Sequence, residues 1–213
     1  MTLDSSMLTP LQRELATAFG SKSPKSFLTG GAVLVGWVLR HRTTDDLDWF
    51  TDDEIAAQAA KAALDVAAAD VGGEVETLMA SPDFRRALVR RGVESVKVDL
   101  VFDRAPQLFP KVVRDGIRMD SVEEIFVNKI CALVGRSEIR DAVDLLALER
   151  HGLRVEDYIV GASSKDGGVT PATLAWLIGT LHIPEHLPGG GDVPELKAFL
   201  AQLEGRLLAM VHP

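Results

Sequence analysis

Residues 27–50 read FLTGGAVLVGWVLRHRTTDDLDWF, and this stretch decides the fold. Phe27 and Leu28 end a short strand, and Thr29, Gly30 and Gly31 turn the chain. Ala32 to Leu39 is apolar, with no proline and one glycine, which suits a buried helix. Asp46 to Phe50 reads as a second strand. Residues i and i+2 of a strand share a face, so Asp46 and Asp48 project together, with Cα atoms about 6–7 Å apart. Leu47 and Trp49 face the other way, and Phe50 follows the acids on their own face. Two adjacent carboxylates repel unless a cation relieves them. A divalent ion with oxygen ligands does so, and Mg²⁺ typically takes one or two carboxylates plus phosphate oxygens. The glycine pair supplies the other half of a phosphate site. Glycine lets backbone approach a ligand closely, and a helix beginning at Gly31 or Ala32 would aim N–H groups at an anion.

Gly-Gly, a helix and then D-x-D on a strand resembles the nucleotidyltransferase superfamily related to DNA polymerase β. The wording TGGAVLVGWVLRHRTTDDLDWF resembles the AbiEii/AbiGii toxin family of nucleotidyltransferases in particular. The resemblance covers roughly residues 26–148.

Composition sets wide limits. The 213 residues are 46% apolar and 25% charged, enough for a sizeable core. No apolar run approaches the ~18 residues of a membrane span. The start, MTLDSSMLTPLQREL, lacks the basic-then-apolar pattern of a secretory signal. Cys131 is the single cysteine, which excludes an intramolecular disulfide and a cysteine-based metal cluster. A cytoplasmic location is therefore expected. The net charge of −8 argues against a general nucleic-acid coat protein but leaves room for a local RNA-binding patch.

Around the central stretch, Thr9 and Pro10 start a helix whose apolar stripe is Leu11, Leu15, Ala18 and Phe19, with Gly20 as its end. Arg40, His41, Arg42, Thr43 and Thr44 form a basic, hydroxyl-rich segment before the acidic strand. They read either as a solvated helix end, where cations are favoured, or, for Arg42 and Thr44 in the family pattern, as nucleotide contacts. Asp52 to Asp70 is an alanine-rich packing helix capped at Thr51 or Asp52. Gly72-Gly73 turns into a strand from Glu74 to Met79.

FRRALVRR (Phe84 to Arg91) and ESVKVDLVF (Glu94 to Phe102) read as strands joined at Gly92. Val96, Val98, Leu100 and Phe102 face a core, so Asp99 faces the other way with Lys97 and Val101. Beside a D-x-D strand, Asp99 reads as a third carboxylate, and the resemblance gives it the role of general base or ligand of a second metal. Alternation splits Arg85, Arg86, Arg90 and Arg91 between two faces. They suit an edge strand protected by charge, or contact to phosphate. Residues 104–119, with two prolines, read as a loop.

Ser121 and Glu124 have capping-box spacing at the start of a helix running to about Val134. Lys129 in its apolar stripe would ordinarily snorkel to solvent. However, EEIFVNKICALVGRSEIRDAVDLLAL resembles the later motifs of the family. That resemblance implies that Lys129 contacts nucleotide phosphate, that Arg136 supports it, and that Asp141 is an acid near the site. Arg140 and Asp144 have the spacing of an ordinary helix ion pair. Short helices follow at Val155 to Val160 and Pro171 to Leu181, separated by a flexible GASSKDGG. A final amphipathic helix runs from Glu195 to Met210, with Leu196, Phe199, Leu200, Leu203, Leu207 and Leu208 on its apolar side.

The expected architecture is α/β: a nucleotidyltransferase core over residues 1–120 with a mixed sheet of about five strands, and a helical region over 121–213 that completes the site. The resemblance implies two Mg²⁺ ions on Asp46, Asp48 and Asp99, with an NTP on Gly30, Gly31, Arg42, Thr44 and Lys129. Transfer of NMP to an acceptor hydroxyl would release pyrophosphate. Because family members include toxins of toxin–antitoxin pairs, transfer RNA is the first acceptor to consider and an antitoxin the expected partner. The alternatives are an antibiotic-type nucleotidyltransferase with a small-molecule acceptor, and a nucleotide-binding regulatory protein without turnover.

Overall fold

Thr9 and Gln12 fix the start of the first helix. The Thr9 hydroxyl accepts from the Gln12 amide at 3.2 Å, and the Gln12 side chain accepts from the Thr9 amide at 2.8 Å. This reciprocal pair satisfies two of the amides left open at any helix start. The protein is described here by a computed structural model covering residues 7–211. Helix α1 (Pro10–Lys22) runs through Gly20 instead of stopping there. A Cβ at Gly20 would lie 3.5 Å from the Trp49 ring, an ordinary contact distance, so the glycine sits where the helix packs on the sheet.

The chain then forms β1 (Phe27–Thr29), a short α2 (Gly30–Val33) continuing into a π-helical turn (Leu34–Val38), β2 (Asp46–Thr51), α3 (Glu54–Asp70), β3 (Glu74–Ala80), β4 (Phe84–Arg91), β5 (Glu94–Phe102), β6 (Val112–Arg114) and β7 (Ile117–Met119). Helix α3 is capped by Asp53, whose carboxylate accepts from the Ala56 amide, one or two residues later than Thr51 or Asp52. The seven strands form one mixed sheet in the order β3-β4-β5-β2-β1-β7-β6. Pairs β2/β5 and β1/β7 are parallel, and the other neighbours are antiparallel.

Two expectations fail here. The presumed loop of residues 104–119 contains the β6–β7 hairpin, which helps take the sheet beyond five strands. Its turn is Asp115-Gly116, both at positive φ (51° and 76°), the backbone a tight two-residue hairpin demands. The Asp115 carboxylate also accepts from Trp37 Nε1 at 2.8 Å, and Arg114 donates to the Trp37 carbonyl at 3.1 Å, tying the hairpin to the π-helical turn. Secondly, β4 is not an edge strand: β3 covers one side and β5 the other. Its arginines are absorbed by pairing. Arg85 reaches Asp65 and Thr77, Arg86 reaches Asp99, Arg90 reaches Glu76, and Arg91 reaches Glu14 and Glu94.

Helices α1 and α3 cover one face of the sheet. There Leu11, Leu15 and Phe19 meet Leu64 and Ala67 over Leu47, Trp49, Val89, Val96 and Val98, all essentially without solvent exposure. Phe19 packs edge-on against Trp49 with ring centroids 4.7 Å apart. The alternation of β2 and β5 dictates this: the apolar set goes to the helices, and the acids go to the opposite face.

The chain divides into two compact units, the first ending at Ser121 and the second beginning at Val122. The second consists of helices α4 (Val122–Arg136), α5 (Ile139–Arg150), α6 (Val155–Lys165), α7 (Pro171–Thr180) and α8 (Val193–Val211). GASSK, read as part of a flexible run, is the last part of α6. In α8 the inward stripe is Leu196, Phe199, Leu200, Leu203 and Leu207, whereas Leu208 is 45% exposed. Glu124, placed for a capping box by its spacing, is fully buried and paired with Lys165.

Candidate active site

Strand register builds the site. In the parallel β2/β5 pair, Asp48 lies opposite Asp99 and Asp46 opposite Lys97. Asp48 also faces Thr29 on β1, and Asp99 faces Arg86 on β4. One row therefore crosses four strands as Thr29, Asp48, Asp99, Arg86. Partners opposed in register present their side chains to one face, so Asp48 and Asp99 adjoin although fifty-one residues separate them in the chain.

Each acid has a local neighbour. Asp99 is 7% exposed, and Arg86 grips both its carboxylate oxygens, Nε at 2.8 Å and Nη2 at 2.7 Å. Such a two-pronged guanidinium contact is among the stronger charge-assisted arrangements. The Asp99 hydrogen bonds raise the pKa of Arg86 above the ordinary guanidinium value, against the opposing effect of burial, and Asp46 and Asp48 add to the effect. Asp46 lies 3.1 Å from Lys97 Nζ, and its other oxygen accepts from the Thr44 hydroxyl at 3.1 Å.

The two glycines act as floors for these side chains. Gly30 has φ +69°, a left-handed backbone that glycine adopts at little cost. A Cβ there would lie 2.6 Å from Asp48 Oδ2, an overlap that a real side chain would not tolerate. At Gly31 the clash is with Arg42: an added Cβ would stand 2.6 Å from Nη2 and 3.4 Å from the Thr44 hydroxyl. Arg42 is 4% exposed and donates to the Thr43 carbonyl at 2.8 Å, while Gln12 donates to the Thr44 carbonyl at 2.8 Å. Gly30, Gly31, Arg42, Thr44, Asp46, Asp48 and Asp99 are thus brought together by the start of α2, the segment leading into β2, and the two parallel strands.

Among the described residues, no three His, Cys, Asp or Glu side chains stand as a group that could hold a metal ion. On the acidic face Arg86 engages Asp99 and Lys97 engages Asp46. Sequence reasoning named both cations but missed their pairing with Asp46 and Asp99. The alternation that put Lys97 on the Asp99 face was a usable signal for one; the partner of Arg86 depends on β4/β5 register.

Lys129 and Asp141 belong to a cluster within the second unit. Ser137, at φ +52°, ends α4, and Glu138 starts α5. This tight connection brings Arg136 to Asp141, at 2.8 Å from Nε and 2.9 Å from Nη2. Lys129 does not snorkel. Its ammonium lies 2.8 Å from Asp141 and 2.7 Å from Asp144, two carboxylates with no solvent exposure. Burial pulls the Lys129 pKa down, but the two acids more than offset it and leave it raised. Burial pushes Asp141 up, yet Arg136 and Lys129 hold it below the ordinary carboxylate range. Asp144, which has helix-pair spacing with Arg140, receives Lys129, and Arg140 reaches Glu138 at 3.3 Å. Cys131, pushed up to about 11 chiefly by burial, is not a reactive thiol. No helix among the described residues is long and apolar enough to cross a membrane.

No curated protein matches the chain. Solved structures share its fold, two of them as follows. The crystal structure of JHP933 from Helicobacter pylori is 20% identical with a TM-score of 0.56, covering 95% of this chain and 92% of that one. The nucleotidyltransferase toxin MenT4 from Mycobacterium tuberculosis is 14% identical with a TM-score of 0.56, covering 92% and 85%. A family model described as nucleotidyl transferase AbiEii toxin, Type IV TA system, matches residues 13–185. With most of its length matched by that model, and with its glycine pair and D-x-D strand meeting at one place on the sheet, this chain belongs to the AbiEii nucleotidyltransferase toxin family.

Proposed function

We propose that the chain transfers a nucleoside monophosphate from an NTP to an acceptor hydroxyl, with transfer RNA as the acceptor and an antitoxin as its partner. The observation that carries this reading is the row Thr29, Asp48, Asp99, Arg86 with Gly30 directly beneath the Asp48 carboxylate. It combines hard oxygen donors, cations and close-approach backbone, the parts needed for in-line phosphoryl chemistry.

The donor chemistry of Asp46 and Asp48 fits a divalent cation. Both are carboxylates on one face, and Mg²⁺ typically takes one or two of these with phosphate oxygens completing its shell. When bound there, such an ion would supply Lewis-acid stabilisation of the transferring phosphoryl group and acidify the acceptor hydroxyl. The chain's own residues do the rest. The Gly30–Gly31 backbone receives the phosphates. Arg42, packed on Gly31, adds positive charge beside them. Thr44 orients Asp46 through its hydroxyl. Arg86 stands on Asp99 and offsets charge that develops on the phosphoryl oxygens.

Pyrophosphate release tests this reading, using the full chain, Mg²⁺, each of the four NTPs and total transfer RNA. Release with at least one NTP, dependent on RNA and lost in Asp48→Ala, is the expected result. Release that depends on a small-molecule acceptor instead would remove transfer RNA from the account. No release with any NTP and either acceptor class would leave a nucleotide-binding protein without turnover.

A further inference from the structure

The acidic row has an aromatic neighbour. Two residues away on each strand, Phe27 pairs with Phe50, Phe50 with Val101, and Val101 with Phe84. This second row lies on the same sheet face as Asp48 and Asp99, about 6–7 Å from them along the strands. Arg85 fixes the sense of that face. It reaches the Lys61 carbonyl and Asp65 on α3, so its neighbours Phe84 and Arg86 point to the other side. Phe27 is buried, with the Lys111 ammonium 4.0 Å from its ring centre and the Arg118 guanidinium at 5.9 Å. Phe50, Val101 and Phe84 are only half-buried, and the Arg86 guanidinium lies 5.5 Å over the Phe84 ring.

The direction of phosphoryl transfer gives this row a task. Strand β1 is antiparallel to β2, so the chain leaves Thr29 toward the Asp46 end of β2. Gly30 and Gly31, with Arg42 and Thr44 against Gly31, therefore lie on that side of the acidic row, and Phe50 lies on the opposite side. In-line displacement sets the attacking oxygen opposite the leaving one. With the leaving phosphates on the glycines, the attacking hydroxyl comes from the side of Phe50. The separation of the two rows, about 6–7 Å, matches the span from a ribose hydroxyl to the base it carries. Aromatic rings beside cations are the groups on which unstacked RNA bases settle.

We propose that Phe50, Val101 and Phe84 form a shelf on which the base of the acceptor nucleotide stacks while its hydroxyl meets the acidic row. The shelf selects RNA that is single-stranded at the reacting end, because a paired base is stacked on its neighbours instead. That role rests on the nucleotidyltransfer reading above; RNA binding to the shelf needs no turnover.

The test measures the affinity of the full chain for 5′-fluorescein-labelled total transfer RNA, by fluorescence anisotropy, and for each of the four NTPs with Mg²⁺, by calorimetry. Phe50→Leu and Phe84→Leu keep apolar bulk and lose the ring. Each is expected to weaken RNA binding by about 5- to 150-fold, the usual worth of one stacked base, with NTP binding unchanged. Phe50→Tyr and Phe84→Tyr should stay close to wild type. Phe102→Leu, on the opposite sheet face with Arg104 over its ring, should leave RNA binding unchanged. Wild type that binds no transfer RNA overturns the proposal, as do leucine variants with wild-type RNA affinity, tyrosine variants as weak as the leucine ones, or a loss of NTP binding in place of RNA binding. Should Phe50→Leu fail to fold, Phe84→Leu decides. Failure of the nucleotidyltransfer reading would appear separately, as RNA held by the shelf with no nucleotide transferred to it.

Discussion

Replacing Gly30 by alanine separates backbone strain from damage to the acid. The residue sits at φ +69°, where a side chain costs about 1–2 kcal/mol. Gly72 sits at φ +72° with nothing within 4 Å of an added Cβ, so Gly72→Ala carries nearly the same backbone cost and nothing else. At Gly30 the new Cβ would also stand 2.6 Å from Asp48 Oδ2 and force the carboxylate to swing away. Both variants should therefore melt lower, by roughly 2–8 °C for 1–2 kcal/mol in a domain of this size. Their activities should diverge. A displacement of about 1 Å at reacting groups can cost on the order of 100-fold in rate. Gly30→Ala is expected to lose at least that much, and Gly72→Ala to stay near wild type. The assay is circular-dichroism melting alongside nucleotide-dependent pyrophosphate release at 25 °C. Equal activity in the two variants would refute the idea that Gly30 is there to admit Asp48.

Asp48→Ala is expected to abolish transfer while keeping the wild-type circular-dichroism spectrum; retained turnover would remove Asp48 from the chemistry. Lys129→Met leaves Asp141 and Asp144 buried without their shared ammonium, and breaking a buried pair typically costs about 3–5 kcal/mol. Urea unfolding would show this, and a loss under about 1 kcal/mol would contradict the structural role of the cluster. The pH response follows from Asp141, whose folded-state pKa is depressed. Such a group stabilises fully above its unfolded value near ~4, and that contribution is lost as pH falls through the lower folded-state value. Melting temperature should thus drop on acidification below about pH 4 in wild type, and drop less in Asp141→Asn. Parallel curves for the two proteins would exclude Asp141 as a source of that dependence.

Much of this site was legible because it is local. Thr29 to Asp48 spans a strand, a helix and a strand, and period-two alternation alone put Asp46 and Asp48 on one face and Leu47 and Trp49 on the other. The same alternation turned Asp99 away from Val96, Val98 and Leu100. What alternation does not contain is which strands are neighbours. Hence FRRALVRR read as an edge strand, although β3 pairs with it, and the contact between Arg86 and Asp99 went unseen. The β6–β7 hairpin was missed for a different reason. Its strands, Val112–Arg114 and Ile117–Met119, are too short to show a period, and the decisive signal was Asp115-Gly116 alone. Gly20 misled as a helix end because packing against Trp49 outweighs the modest cost of glycine within a helix. Lys129 illustrates a last limit: a lysine on an apolar stripe looks the same in sequence whether it snorkels or meets two buried acids on the next helix.

The central claim, that the acidic face of the sheet transfers nucleotides to RNA, is tested most directly by label transfer. Each α-³²P-labelled NTP is incubated with the protein, Mg²⁺ and total cellular RNA, beside the Asp46→Ala/Asp48→Ala double variant. The account predicts label on transfer RNA from at least one nucleotide, absent with the double variant. Label that persists in the double variant, or no label from any nucleotide, would contradict it.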